Sequence, residues 1–330
     1  MESEKLHERL IVIDGHCDTA LDLVGSSYAN PGMEPRDFLL RGTRGHVDLP
    51  RLIEGGVTCQ VMAMFTNDRN VAEANAYTKA LFSGIEDVLS RTDRLILVRR
   101  AADIVRAKRE GSVAALAAIE GGEAIGESLE ELRSFSERGV RLMSLSWNRR
   151  NAIARGVGAE GSGGLTSFGR EVVAEMERLG MIVDVSHLSD EALDDVLSVA
   201  RRPIVASHSN ARALCDHRRN LLDSQAERIA ATGGLVAATF AGVFVDKDPA
   251  QVTLSRVVDH IERLLEVAGP DHVGIGSDFD GFSEKYGVAL RGCQEMPKIT
   301  AALLERGHSQ LTVDKVMGRN WLRVIEAVVG

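Results

Sequence analysis

Eight short apolar runs, rich in Val, Ile, Leu and Ala, recur along this 330-residue chain, and segments of helical period separate them. They occupy 10–15, 57–65, 113–119, 140–147, 181–186, 203–207, 235–240 and 272–277. Continuous apolar runs of this length read as strands buried on both faces, the condition of a parallel sheet covered by helices. Eight strand–helix units in succession predict a closed (β/α)₈ barrel, with its active site at the C-terminal ends of the strands. The length would also suit two average domains, but no low-complexity linker and no internal repeat divides the chain, so residues 1–330 read as one barrel domain.

The intervening segments carry helix punctuation. Ser128-x-x-Glu131 and Ser224-x-x-Glu227 have the form of capping boxes, and Gly269-Pro270 should stop a helix before the last run. Helical period also covers 72–89, 168–179, 192–199, 257–267 and 313–328. Two glycine-rich stretches, 25–45 and 148–164, follow expected strands and read either as walls of a catalytic mouth or as plain surface insertions.

Composition narrows the function classes. With 48 acidic against 39 basic residues, a formal charge of -9 and no Lys/Arg cluster, the chain is not expected to bind nucleic acid. Cys17, Cys59, Cys215 and Cys293 form no C-x-x-C pair, so reduced thiols are expected rather than a thiolate metal site. Residues 1–9 are polar and no apolar run approaches the ~20 residues needed to cross a bilayer, so the expectation is a cytoplasmic protein without a membrane partner.

Metal-type side chains fall where those strands end. His16 and Asp18 follow the first run, Glu120 ends the third, His187 the fifth, His208 the sixth, and Asp278 closes the eighth. Barrel topology would bring them to one mouth as a mixed nitrogen and oxygen cluster. His16-Cys17-Asp18 puts two side chains on one side of an extended segment, with Cys17 turned away. A second copy, His46-Val47-Asp48, precedes Leu49-Pro50 and reads as structural, with Asp48 capping a helix. Glu120, a lone carboxylate after an apolar strand, needs a cation or a hydrogen-bond partner. Five ligands exceed what one catalytic zinc takes, so two ions sharing Glu120 is the natural count, with a water acidified into a nucleophile between them. Asp278 is either a sixth ligand or a proton carrier, and Asp280 belongs to the turn.

These blocks together resemble the membrane (renal) dipeptidase family of zinc metallopeptidases from about residue 11 to 328. The likeness rests on Asp14-Gly15-His16-Cys17-Asp18, Val47-Asp48-Leu49-Pro50-Arg51-Leu52, Glu120-Gly121-Gly122, Leu165-Thr166-Ser167-Phe168-Gly169, Asp184-Val185-Ser186-His187, Ser207-His208-Ser209, Arg218-Arg219-Asn220 and Gly276-Ser277-Asp278-Phe279-Asp280-Gly281. The resemblance implies a zinc-dependent dipeptidase, extending to L,D-dipeptides. It implies that His16 and Asp18 hold one Zn²⁺, His187 and His208 a second, and that Glu120 bridges them. By the same likeness Asp278 shuttles the proton and Arg219 binds the substrate's terminal carboxylate. One departure stands out: Trp147 occupies the place of a family histidine near the scissile carbonyl. Its indole N–H can donate a hydrogen bond but cannot hold charge, so Trp147 is either a weaker oxyanion donor or a wall of the substrate pocket.

Three rival readings follow from the same residues. Gly156-Val157-Gly158-Ala159-Glu160-Gly161 satisfies a dinucleotide fingerprint, yet it neither leaves a strand nor opens a helix. Two-metal barrel hydrolases of cyclic amides, lactones or esters often bridge their ions with a carboxylated lysine, and no lysine stands at an expected strand end. A barrel that binds metal without catalysis is the third. A small dipeptide is the expected partner, and a homodimer is compatible with the sequence, which does not itself set the oligomeric state.

Overall fold

A computed structural model of the chain describes residues 2–25, 32 and 34–330, so part of the expected loop at 25–45 lies outside the described residues. Its strands are β1 (Val12–Cys17), β2 (Val57–Phe65), β3 (Leu95–Leu97), β4 (Val113–Glu120), β5 (Val140–Ser144), β6 (Ile182–Asp184), β7 (Val205–Ala206), β8 (Leu235–Ala238) and β9 (Val273–Ile275). All pair in parallel, in the order β2-β1-β9-β8-β7-β6-β5-β4-β3, and pairing of β2 with β4 closes eight of them into a barrel surrounded by helices. The expected (β/α)₈ architecture is therefore present.

The ninth strand is the departure. Leu95–Leu97 pairs with Val113–Ala115 of β4, ahead of the stretch of β4 that pairs with β5, and so extends the sheet without entering the barrel. Three residues are too few to register as a run. Several observed strands are also shorter than their runs. β7 keeps only two residues of 203–207, and β5 ends at Ser144, ahead of Trp147.

Two apolar layers result from strand alternation. Ile13, Val61, Leu116, Leu142, Ile182, Val205 and Leu235 form one cluster with the fully buried Trp321. Cβ atoms added at Gly15 and Gly274 would stand 2.2 and 2.9 Å from the Trp321 ring, so these glycines make room for the indole, whose N–H donates to Ile275 O at 3.0 Å. Outward residues such as Val12, Met62, Val183 and Ile275 join the helices in the other cluster.

The helix ends match the sequence punctuation except at one place. Ser128 caps Leu129–Arg138, accepting from Glu131 N, and Asp48 caps Leu49–Glu54 with Pro50 in the first turn. Leu254–Ala268 ends at Gly269. Ser224, however, lies inside helix Asp223–Ala231, where Gln225 rather than Glu227 reaches back to the first free N–H, that of Leu222. No helix among the described residues is long and apolar enough to cross a membrane.

Candidate metal centre

Glu120 is the last residue of β4, and the two residues after it explain how it is presented. Gly121 has φ +93°, and a Cβ on Gly122 would meet Leu145 O at 2.7 Å, so both glycines are needed. His16 lies within β1, Asp18 just beyond it, His187 three residues past β6, His208 two past β7 and Asp278 three past β9. His187 and Asp278 adopt φ +70° and +65°, a left-handed backbone unusual for side-chain-bearing residues and typical of functional turns.

Barrel closure brings these groups together, all of them buried. Glu120 Oε1 is 2.8 Å from His187 Nε2 and 3.7 Å from His208 Nε2, while Oε2 is 3.5 Å from His16 Nε2. His16 Nε2 also lies 3.9 Å from Asp18 Oδ1 and 3.8 Å from Asp278 Oδ1. Two triads sharing His16, one with Glu120 and His208 and one with Asp18 and Asp278, offer ligand atoms within 4.8 Å of one another. Both ring nitrogens of His16 and Asp18 Oδ1 are buried without a hydrogen-bond partner. Such groups are costly unless a cation engages them, and imidazole with carboxylate is a donor set that suits zinc.

Charge within the cluster is mutually dependent. Burial alone would lower His16, but Glu120, Asp18 and Asp278 raise it to about 10. Burial, then Arg219, lowers His187 to about 3, and burial with His16 and Arg219 holds His208 well below its ordinary value, so both are neutral imidazoles near pH 7. Burial would raise Glu120, yet His16 and His187 hold it well below the carboxylate range. Asp278 is pushed up to about 7 by burial and by Glu120, against the opposing pull of His16 and Arg219. Asp18 is raised by burial and Glu120.

The supporting groups were not singled out by sequence reasoning. Asp184 accepts from Ser207 N at 2.9 Å and from Ser207 Oγ at 2.5 Å, and Ser207 Oγ in turn lies 2.8 Å from His208 Nδ1. Asp14 accepts from Ser277 N at 2.7 Å and from Ser277 Oγ at 2.6 Å across the β1–β9 seam. His187 Nδ1 donates to Asn148 Oδ1 at 2.9 Å. The only sequence signal is a Ser immediately before His208 and before Asp278, and an Asp two or three residues ahead of His16 and His187.

Stretch 148–164 is a wall of the mouth: besides Asn148, Val157 N donates to His187 O at 2.8 Å. Its glycine pattern has a packing origin, because a Cβ on Gly156 would stand 1.9 Å from Trp147 O. Trp147 is half-buried, its ring 5.0 Å from that of Phe65 and 5.9 Å from that of His187, with the Arg149 guanidinium 5.1 Å from its own ring.

Arg219 is buried beside the cluster, whereas Arg218 is exposed and donates to Val157 O. The Arg219 fork donates to His208 O at 3.2 Å and reaches Ser209 Oγ at 3.5 Å, while its Nε has no partner. Burial lowers its pKa, against Asp278, Glu120 and Asp184. A buried guanidinium with donors to spare, facing a carboxylate-rich cluster, can receive an anionic group of a ligand.

Comparison with known proteins agrees with this geometry. Residues 1–329 match the family model described as Membrane dipeptidase (Peptidase family M19). The chain is 36% identical over 328 residues to Dipeptidase tcpJ of Claviceps purpurea, covering 96% of this chain and 76% of that protein. It superposes with TM-score 0.86, at 28% identity, on a metallopeptidase of Rhodobacter sphaeroides liganded with a phosphinate mimic of the dipeptide L-Ala-D-Ala, covering 97% of this chain and 99% of that one. An amidohydrolase of Pseudomonas aeruginosa is similar with TM-score 0.83 at 27% identity, covering 99% of both chains.

Proposed function

Because the chain belongs to the membrane dipeptidase family and is a metal-dependent hydrolase of that family, we propose that it cleaves free dipeptides, including those with a D-residue at the C-terminal position, with two zinc ions. The observation that carries this reading is the buried His16–Asp18–Glu120 cluster, with three orphaned ligand atoms, standing beside the half-satisfied Arg219. His16 and Asp18 would hold one ion, His187 and His208 the other, and Glu120 would be shared between them. Bound there, the ions would supply Lewis acidity at the scissile carbonyl and a nucleophile derived from water near neutral pH.

The chain's own groups do the rest. Arg219 grips the substrate's terminal carboxylate and so sets the distance of the scissile bond from Glu120. Asp278, raised to about 7 by burial, takes the proton from the attacking water and returns it to the leaving amine. Trp147, packed on Phe65 beside His187, walls the substrate pocket. The phosphinate dipeptide mimic held by the Rhodobacter sphaeroides relative supports both the dipeptide substrate and the D-residue.

A panel of L,L- and L,D-dipeptides, their C-terminal amides, and cyclic amides or lactones, assayed with zinc and with a chelator, tests this reading. Chelator-sensitive cleavage confined to free dipeptides is expected. Turnover of cyclic substrates alone would move the protein to ring-opening hydrolysis, for which a carboxylate grip at Arg219 has no purpose.

A further inference from the structure

His46-Val47-Asp48, the second His-x-Asp of the sequence, sits beside the turn that carries Asp278. We propose that His46 and Arg36 form a clamp on Asp280 that positions Asp278, so that Arg36, His46 and Asp280 are positioning residues for proton transfer. The proposal rests on the dipeptidase reading for its kinetic consequence, though not for its geometry.

The turn needs holding. Asp278 and Asp280 both adopt left-handed backbone, φ +65° and +66°, which Asp reaches more readily than most side-chain-bearing residues but still at a cost. On one side the turn is pinned to β1: Asp278 N donates to His16 O at 3.1 Å and Asp18 N to Phe279 O at 2.9 Å. On the other side everything converges on Asp280, whose side chain is buried. Its carboxylate accepts from Thr19 Oγ1 at 2.7 Å, from His46 N at 2.6 Å and from Arg36 Nη2, and its own N–H donates to His46 Nδ1 at 3.0 Å. The His46 ring stacks on Phe279 and Phe282, with centroids 5.2 and 5.1 Å away.

The clamp is itself fixed. Arg36 forks three ways, to Asp22, to Val47 O and to Asp280. Gly45 allows this, because a Cβ there would stand 2.6 Å from Arg36 Cζ. Asp48 fastens the same segment by accepting from Gly42 N at 3.0 Å and from Arg51 N at 2.9 Å. Motion of the turn would reach the metal-type cluster directly: a Cβ on Gly281 would lie 2.1 Å from Asp18 Oδ2 and 2.5 Å from Asp278 Oδ1. Asp278 thus faces His16 while Asp280, two residues on, is gripped from behind. A small displacement of a positioned group is enough to cost a large factor in rate.

The test uses zinc-loaded natural protein, His46→Ala, Asp280→Asn and Arg36→Lys. Expected for His46→Ala and Asp280→Asn are unchanged zinc content, a KM for L-Ala-D-Ala within about twofold, and a kcat lower by about tenfold or more. Arg36→Lys, which keeps the charge but loses the fork, should fall between. If Asp280→Asn does not fold, His46→Ala carries the test alone, since it keeps the Arg36–Asp280 ion pair. A lowered melting temperature with unchanged kcat would reduce the clamp to a stability device and overturn the proposal. A crystal structure of His46→Ala supplies the readout that is independent of substrate. The 278–281 turn should relax and the 3.8 Å approach of Asp278 to His16 should change. An unaltered turn overturns the proposal even if the natural protein hydrolyses no dipeptide, and an altered one sustains it when the substrate reading alone has failed.

Discussion

The Nε2 atoms of His187 and His208 face each other at 2.9 Å. His187 Nδ1 donates to Asn148 Oδ1, and His208 Nδ1 donates to Ser207 Oγ, whose own proton goes to Asp184. With their Nδ1 protons pointing outward, both inward nitrogens are free to offer lone pairs to a cation. A cation there would be met by both nitrogens and by Glu120 Oε1, which lies 2.8 Å from His187 Nε2.

Ser207 orients only one half of the centre. Ser207→Ala should weaken zinc at the His187/His208 half by about 10–100-fold, the usual effect of losing a support behind a ligating histidine. The His16/Asp18 half should keep its ion. Competition with a graded series of chelators, followed by metal analysis, measures both; equal weakening of the two ions would contradict the separate roles assigned here.

Zinc binding should release protons. His16 is raised to about 10 in the metal-free cluster by its carboxylate neighbours, so it is protonated at pH 8 and must lose that proton to ligate. Apparent affinity should therefore rise with pH up to about 10, and calorimetry at pH 8 in two buffers of different ionisation enthalpy should register release of about one proton or more per chain. Affinity independent of pH between 7 and 9 would be inconsistent with the charge pattern of the cluster.

Arg219 should read the substrate's terminal carboxylate. Arg219→Ala is expected to raise KM for free dipeptides by about 100-fold while leaving C-terminal amides nearly unaffected, because only the former lose a charge-assisted pair. Parallel losses on both substrates would remove Arg219 from that role.

The barrel and its cluster were legible because strand order and strand ends are local signals. Glu120, His187 and His208 each follow an apolar run, and parallel topology turns such positions into neighbours. What stayed hidden depends on closure. Asp14 meets Ser277, and His46 meets Asp280, across separations of 263 and 234 residues, and no local pattern announces either contact. That is why His46 read as an isolated structural copy of His16. Strand β3 was too short to signal itself. Ser224 had the right spacing for a cap but stands two residues after Leu222, the true cap position, because Gln225 supplies the reaching side chain.

Two ions sharing Glu120 are central to the proposed function, and stepwise zinc titration of metal-free protein, with L-Ala-D-Ala hydrolysis followed throughout, tests this most directly. Turnover should appear as the second ion binds and level off at two per chain, and Glu120→Gln should bind fewer ions with hydrolysis close to zero. Full turnover at one ion per chain, or Glu120→Gln with full turnover, would contradict it.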